Sequence, residues 1–154
     1  MIETATLEAP EDDAWRAFNA AHGRVIRELD HDLVATHHLS LAEYEVLMHL
    51  DEADDRRLRM NELAELCGLS PSGLTRRFDS MVRSGLVRRE KCDDDRRGVF
   101  AVLTENGHDR LAEAAPIYSQ GVRRAFVAPL QPDELDTVTT ACERIAPRRR
   151  YSRH

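Results

Sequence analysis

Apolar positions recur at helical spacing through most of this chain. From residue 14 to 35, Trp15, Phe18, Val25, Ile26, Leu29 and Leu33 line one side of a 3.6-residue spiral, which predicts an amphipathic helix. Ser40-Leu41-Ala42-Glu43 is a capping box, and it opens a second helix from Leu41 to about Leu50 with Leu41, Tyr44, Leu47, Met48 and Leu50 as its apolar face. The polar stretch Asp51 to Arg57 interrupts the pattern. Leu58 and Met60 alternate with arginines as a very short strand does, and a third helix follows over about Asn61 to Cys67, stopped by Gly68. Ser70-Pro71 is the next start signal, a serine N-cap with proline at the first helical position.

The helix it opens, to about Ser84, sorts its side chains cleanly. Leu74, Phe78, Met81 and Val82 make one face, and Ser72, Arg76, Asp79 and Arg83 make the other. Past Gly85, the segments Leu86 to Arg89 and Val99 to Leu103 predict two strands around a charged tip, Asp93 to Gly98. Thr104 caps a long helix to about Val127, with a kink or altered turn expected at Pro116. Pro132-Asp133-Glu134 opens a last helix to about Ile145. The fold class is mainly α with a small β wing: a winged helix-turn-helix over 41–103, helices on either side over 14–40 and 104–146, and flexible tails at 1–13 and 147–154.

At 154 residues, with 42% hydrophobic and 32% charged, the chain fits one domain with a core rather than a disordered or multidomain protein. No apolar run reaches the roughly 20 residues that span a bilayer. The acidic stretch MIETATLEAPEDDAW lacks the layout of a signal peptide, so a cytoplasmic location without membrane contact is expected. The net charge of −6 counts, by itself, against a nucleic-acid partner. The distribution reverses that. Residues 1–55 hold 3 basic and 14 acidic side chains, whereas residues 70–97 hold 8 basic and 5 acidic ones. A helix about 10–12 Å across fits the major groove of B-DNA, and a basic hairpin beside it can reach phosphates or the minor groove.

Three segments make the pattern specific: Asn61 through Arg76, then Gly85-Leu86-Val87-Arg88-Arg89, then Asp95-Arg96-Arg97-Gly98 running into Leu103-Thr104. Together, and more loosely with Leu39-Ser40-Leu41 and Tyr44, they resemble the MarR family of bacterial transcriptional regulators in the right order and spacing. The resemblance implies an obligate homodimer, with the flanking helices 14–40 and 104–146 as its dimerisation elements. It also implies binding to a pseudo-palindromic double-stranded operator, as a repressor released by a small ligand, with no enzyme activity and no cofactor. Ser70, Ser72, Thr75, Arg76 and Arg77 at the recognition helix, and Arg96 and Arg97 at the wing, become the DNA-binding candidates, with Asp95 orienting Arg97. On an isolated helix the same arginines would read first as a solvated face with Asp79 and Glu90, and the combined pattern is what outweighs that reading.

The resemblance also places an effector pocket between the flanking helices and the winged domain. Trp15, His22, Tyr44, Met48 and His49 can line it, and Arg59 can pair with an aryl carboxylate or a phenolate; for each, ordinary packing is an equal reading. Relatives that sense urate use a tryptophan in the first helix, as Trp15 would be here.

Other chemistries are weaker. Cys67, Cys92 and Cys142 show no CxxC spacing. Cys92 at the wing suits a redox sensor only in part, because three aspartates oppose the nearby lysine, and peroxide-sensing relatives carry their cysteine in the first helix. Cys67 and Cys142 are expected to pack as small apolar residues. His31, His37 and His38 cluster without a ligand-spaced pair, so no metal site is assigned. A redox- or metal-responsive member of the same fold, or an interaction adaptor that no longer binds DNA, stays open as an alternative. An enzyme is disfavoured by the lack of a Gly-rich phosphate loop, a GxSxG elbow and an HExxH pair.

Overall fold

The computed structural model describes residues 7–91 and 98–147. Its elements in chain order are α1 (Ala9–His37), α2 (Leu41–Glu52), β1 (Arg57–Arg59), α3 (Met60–Leu66), α4 (Pro71–Arg83), β2 (Val87–Lys91), β3 (Val99–Leu103), α5 (Glu105–Val122) and α6 (Pro132–Ile145). The fold is mainly helical, with one three-stranded antiparallel sheet in the order β1-β3-β2.

Helix α1 begins at Ala9, inside the stretch assigned above to a flexible tail. The Glu11 carboxylate accepts the Glu8 N–H at 3.0 Å, and Pro10 sits in the first turn, so the start is capped five residues before the apolar periodicity begins. At the other end His38 takes a left-handed conformation (φ 51°) and its N–H returns to the Val34 carbonyl. Ser40 and Glu43 form the expected capping box, and Asp30 of α1 accepts the Leu41 N–H at 2.9 Å, tying the start of α2 to α1.

Strand β1 is Arg57–Arg59, and it pairs with β3 through Arg57↔Val102 and Arg59↔Phe100. Met60 is therefore not a strand residue. It opens α3, because Glu62 accepts the Arg59 N–H at 3.1 Å and caps the helix one residue earlier than expected. The connection into β1 is anchored on α5. Asp55 and Arg56 both have positive φ (54° and 52°), and Arg56 reaches Asp51 at 3.3 Å and Glu105 at 3.2 Å, while His108 contacts Asp51 at 2.9 Å.

The core is apolar and continuous. Leu33, Leu39, Leu47, Leu50, Leu63, Leu74, Phe78 and Met81 are wholly or almost wholly buried, so α2 lies against α1 on one side and the winged region on the other. Helix α5 docks by backbone approach: a Cβ on Gly107 would lie 2.0 Å from the Leu86 carbonyl oxygen. Thr104 caps α5 through the Gly107 N–H at 3.0 Å and reaches the Gly85 and Leu86 carbonyls at 2.7 and 2.9 Å.

Pro116 does not break α5. Ala112, whose carbonyl loses its helical donor, and Pro116 are both exposed, so water can take the vacant acceptor. The altered turn falls later, as a π-helical segment at Arg123–Val127, where Arg124 bonds Asp32 of α1 at 2.6 Å. Helix α6 buries no residue against the rest of the chain. Cys142 is accordingly exposed, not packed, while Cys67 is half-buried. Trp15, Phe18 and Ile145 are also exposed, at 57%, 50% and 80%. Among the described residues no helix is long and apolar enough to cross a membrane.

Candidate nucleic-acid interface

Helix α4 is built to show one face. The Ser70 hydroxyl accepts the Gly73 N–H at 3.1 Å, and Pro71 supplies a first turn that needs no donor. Leu74, Phe78 and Met81 are fully buried, which turns Ser72, Thr75, Arg76 and Arg83 outward. Ser70 thus acts as the cap, with its Oγ 3.3 Å from that of Ser72. The Thr75 hydroxyl donates to the Pro71 carbonyl at 2.8 Å, which leaves its lone pairs as acceptors toward an incoming amino group. Arg77 is half-buried, and its charge is felt by Glu45 of α2. There burial raises the Glu45 carboxyl above its ordinary range, opposed by the Arg77 and His22 charges.

The arginines divide into two kinds. Those of the sheet are paired: Arg88 with Glu90 at 2.6 Å, Arg57 with Glu90 at 3.4 Å, and Arg89 with Asp79 at 2.7 Å. The Arg88 hydrogen bond holds the Glu90 carboxyl below its usual range. Arg57 and Arg59 lie over the Phe100 ring, at 4.9 and 5.5 Å from its centroid. On α4, Arg76 and Arg83 have no carboxylate partner among the described residues. Their charge is available to a phosphate without breaking an ion pair. Asp95, Arg96 and Arg97, assigned from sequence to the wing tip, and Cys92 lie outside the described residues.

Between α4 and the sheet is an open cleft of about 410 Å³. Arg59, Met60 and Asn61 line it at the start of α3, Thr75 on α4, Arg89 on β2, and Gly98 and Val99 before and in β3. Arg89 and Asn61 were not singled out from sequence. Arg89 is one of two adjacent arginines in a strand, and nothing in the pattern says which one turns toward α4.

The six effector candidates occupy three places. Trp15 and His22 flank Phe18 in an exposed aromatic ladder on α1, with centroid spacings of 6.2 and 6.0 Å. Tyr44, Met48 and His49 belong to α2. Tyr44 is buried against Tyr118 at 4.5 Å, and burial and the neighbouring phenol push its hydroxyl up to about 12. Burial lowers the His49 imidazole below its usual value. Arg59 stands apart from all five, in the cleft beside α4. Burial pushes the Cys67 thiol up to about 11, which suppresses its thiolate. Among the described residues no group of three or more His, Cys, Asp and Glu could hold a metal ion.

A model of the MarR family matches residues 37–98, from the end of α1 to the residue before β3. AbsC, a MarR family transcriptional regulator from Streptomyces coelicolor, superposes with a TM-score of 0.84 and 37% identity, covering 93% of this chain and 96% of that one. Sco3205, a MarR family regulator of the same organism solved in complex with DNA, superposes with a TM-score of 0.86 and 32% identity, covering 95% of this chain and 91% of that one. The transcriptional repressor YetL of Bacillus subtilis is 33% identical over 78 residues, 51% of this chain and 47% of YetL. The chain spans about half the length of such curated relatives.

Proposed function

The chain belongs to the MarR family of transcriptional regulators, and from that premise we propose that it is a homodimeric repressor that binds a pseudo-palindromic operator and is released by a small anionic ligand. The observation that carries the DNA reading is the outer face of α4. Ser72, Thr75, Arg76 and Arg83 stand exposed on one side of a helix whose other side is locked into the core. Such a helix enters the major groove with its N-terminal residues at the base edges, while the β2–β3 wing, including Arg96, Arg97 and Asp95, reaches the minor groove and its phosphates. Sco3205, with the same fold, has been solved on DNA.

Dimerisation accounts for the surface that this chain leaves bare. Helix α6 has 14 residues and buries none of them on its own chain, and a helix of that length is marginal in water without packing. Trp15, Phe18, Phe126 and Ile145 are likewise exposed, apolar area that a second copy could cover. A two-fold axis then sets two α4 helices on half-sites about 10–10.5 bp apart. For the effector, the cleft beside α4 is lined by the Arg59 guanidinium at the start of α3 and by Thr75 on α4. An anion seated there lies between the recognition helix and the wing, where its charge and bulk oppose the approach of a phosphate backbone.

Selection of bound fragments from the source genome, followed by fluorescence anisotropy on the enriched duplex, tests the reading. It predicts one enriched palindrome, and failure to enrich any would overturn it. Arg76→Ala should weaken binding about tenfold, and if Arg76 holds a phosphate, the slope of log K against log salt should fall by about 1. Unchanged affinity and slope would remove Arg76 from the interface.

A further inference from the structure

We propose that Arg89 is a positioning residue: its bond to Asp79 fixes the angle between the recognition helix and the wing, and so sets affinity for an operator that both must reach at once. This rests on the DNA-binding reading above. The apolar face of α4 (Leu74, Phe78, Met81) resists separation from the core, but hydrophobic contact is not directional and does little to resist a slide or a roll of the helix. A directional contact is needed to hold the rotation. Arg89, on β2, supplies it at two successive residues of α4. Its Nη2 donates to the Asp79 Oδ1 at 2.7 Å, and its guanidinium lies 5.2 Å from the centroid of the Phe78 ring. Phe78 is wholly buried, so the guanidinium is registered against a fixed plane.

Asp79 is the one acid in α4, on the helix that carries Arg76 and Arg83 outward. Facing a phosphate backbone, an uncompensated carboxylate there would repel the ligand. Its retention makes sense if the carboxylate is spent on Arg89. The pair is partly exposed, at 35% and 45%, so its contribution to folding is small and its effect should show in binding instead.

The test is a double-mutant cycle on the full chain: Arg89→Ala, Asp79→Asn, the double variant, and the swap Asp79→Arg with Arg89→Asp. Operator affinity and its salt slope are read by anisotropy, and stability by thermal unfolding. Each single variant should lose about tenfold in affinity, within the range for residues coupled by contact, while the double variant loses no more than either single one. The swap should recover part of the loss, and the unfolding midpoint should move by no more than about 3 °C.

If Arg89 simply grips a phosphate, Arg89→Ala weakens binding and lowers the salt slope by about 1, while Asp79→Asn tightens it. That outcome, or additive losses, overturns the proposal. A readout without DNA separates it from the function itself: amide exchange in β2 and the second half of α4 should quicken in Arg89→Ala. Unchanged exchange overturns the positioning role even if no operator is found, whereas quickened exchange with no operator bound by the wild type supports it and overturns the DNA reading.

Discussion

Replacing Gly107 with alanine should be among the most damaging single-methyl changes in this chain, and the structure gives its size. The added Cβ would sit 2.0 Å from the Leu86 carbonyl oxygen, 3.0 Å from the Leu86 carbonyl carbon and 2.8 Å from a Leu103 methyl. The methyl can rotate away. The carbonyl cannot, because its oxygen also accepts the Thr104 N–H at 3.2 Å and faces the Thr104 hydroxyl at 2.9 Å. Normal contact needs roughly 3.5 Å, so α5 must retreat by more than about 1 Å at its first turn. Overpacking of this kind costs about 1–3 kcal/mol, and weakening the Thr104 bonds adds about 0.5–1.5 kcal/mol each. The better helix propensity of alanine returns about 1 kcal/mol. With two of those bonds weakened the net loss is about 1–5 kcal/mol, and at its centre near about 3 kcal/mol the unfolding midpoint falls by about 6–12 °C for a chain of this length. Gly23→Ala is the internal control. Its Cβ meets only the end of the flexible Arg27 side chain, at 3.2 Å, so the propensity gain should survive and raise stability by about 0.5–1 kcal/mol. Circular dichroism melts and urea titrations at one fixed protomer concentration read both. A Gly107→Ala midpoint within about 1 °C of wild type, or a Gly23→Ala loss as large as that of Gly107→Ala, would refute the reasoning.

Two further outcomes follow from exposure and from charge. Phe18→Asp puts a carboxylate into the exposed aromatic ladder of α1; sedimentation equilibrium should show the dimer dissociation constant rising about a hundredfold with helicity retained, and an unchanged constant would place the dimer contact elsewhere. Burial holds His49 neutral, with its folded pKa below the unfolded value of about 6.5. The unfolded chain therefore binds more protons in that window, and stability should fall as pH drops through 6.5 toward the lowered folded value. His49→Gln should flatten that part of the melting profile between pH 7 and 5, and an identical slope in wild type and variant would exclude His49 as its source.

The starts of α2, α4 and α5 and the strands β2 and β3 were legible because each has a local cause, whereas α1 starts five residues and α3 one residue ahead of the apolar pattern. Ser40 with Glu43, Ser70 with Pro71, and Thr104 satisfy backbone donors within three residues of themselves, so the signal lies in consecutive letters. Strand β1 was not legible to the residue. Three residues give one alternation, and what makes Arg57–Arg59 a strand is β3, more than forty positions away. That pairing carries Arg57 and Arg59 onto the Phe100 ring, a cluster no local pattern announces. The half-burial of Arg77 was closer to readable: it follows Leu74 by three and precedes Phe78 by one, at the border of the apolar face. The periodicity of α1 marks an apolar stripe at Trp15 and Phe18 correctly but says nothing about what covers it. Among the described residues both side chains stay at least half exposed, and the same limit applies to Cys142 on α6.

The charge division along the chain acquires a physical meaning from the fold. The acidic surplus ends at Asp55, and the next residues, Arg56, Arg57 and Arg59, lead into the sheet that also holds Arg88 and Arg89. In the sheet, Arg57 and Arg88 share Glu90 and Arg89 pairs with Asp79, whereas Arg76 and Arg83 on α4 have no carboxylate partner among the described residues. At physiological salt the Debye length is about 8 Å, so charges farther than that from the duplex are strongly screened. The net −6 therefore bears on self-repulsion and solubility, while the exposed face of α4 is the surface proposed to meet DNA. The two quantities separate experimentally. A slope of log K against log salt near −0.9 per phosphate neutralised counts arginines at the interface and is blind to the acids of α1. Removing acids from the exposed N-terminal half of α1 should leave that slope unchanged, whereas removing Arg76 or Arg83 should reduce it.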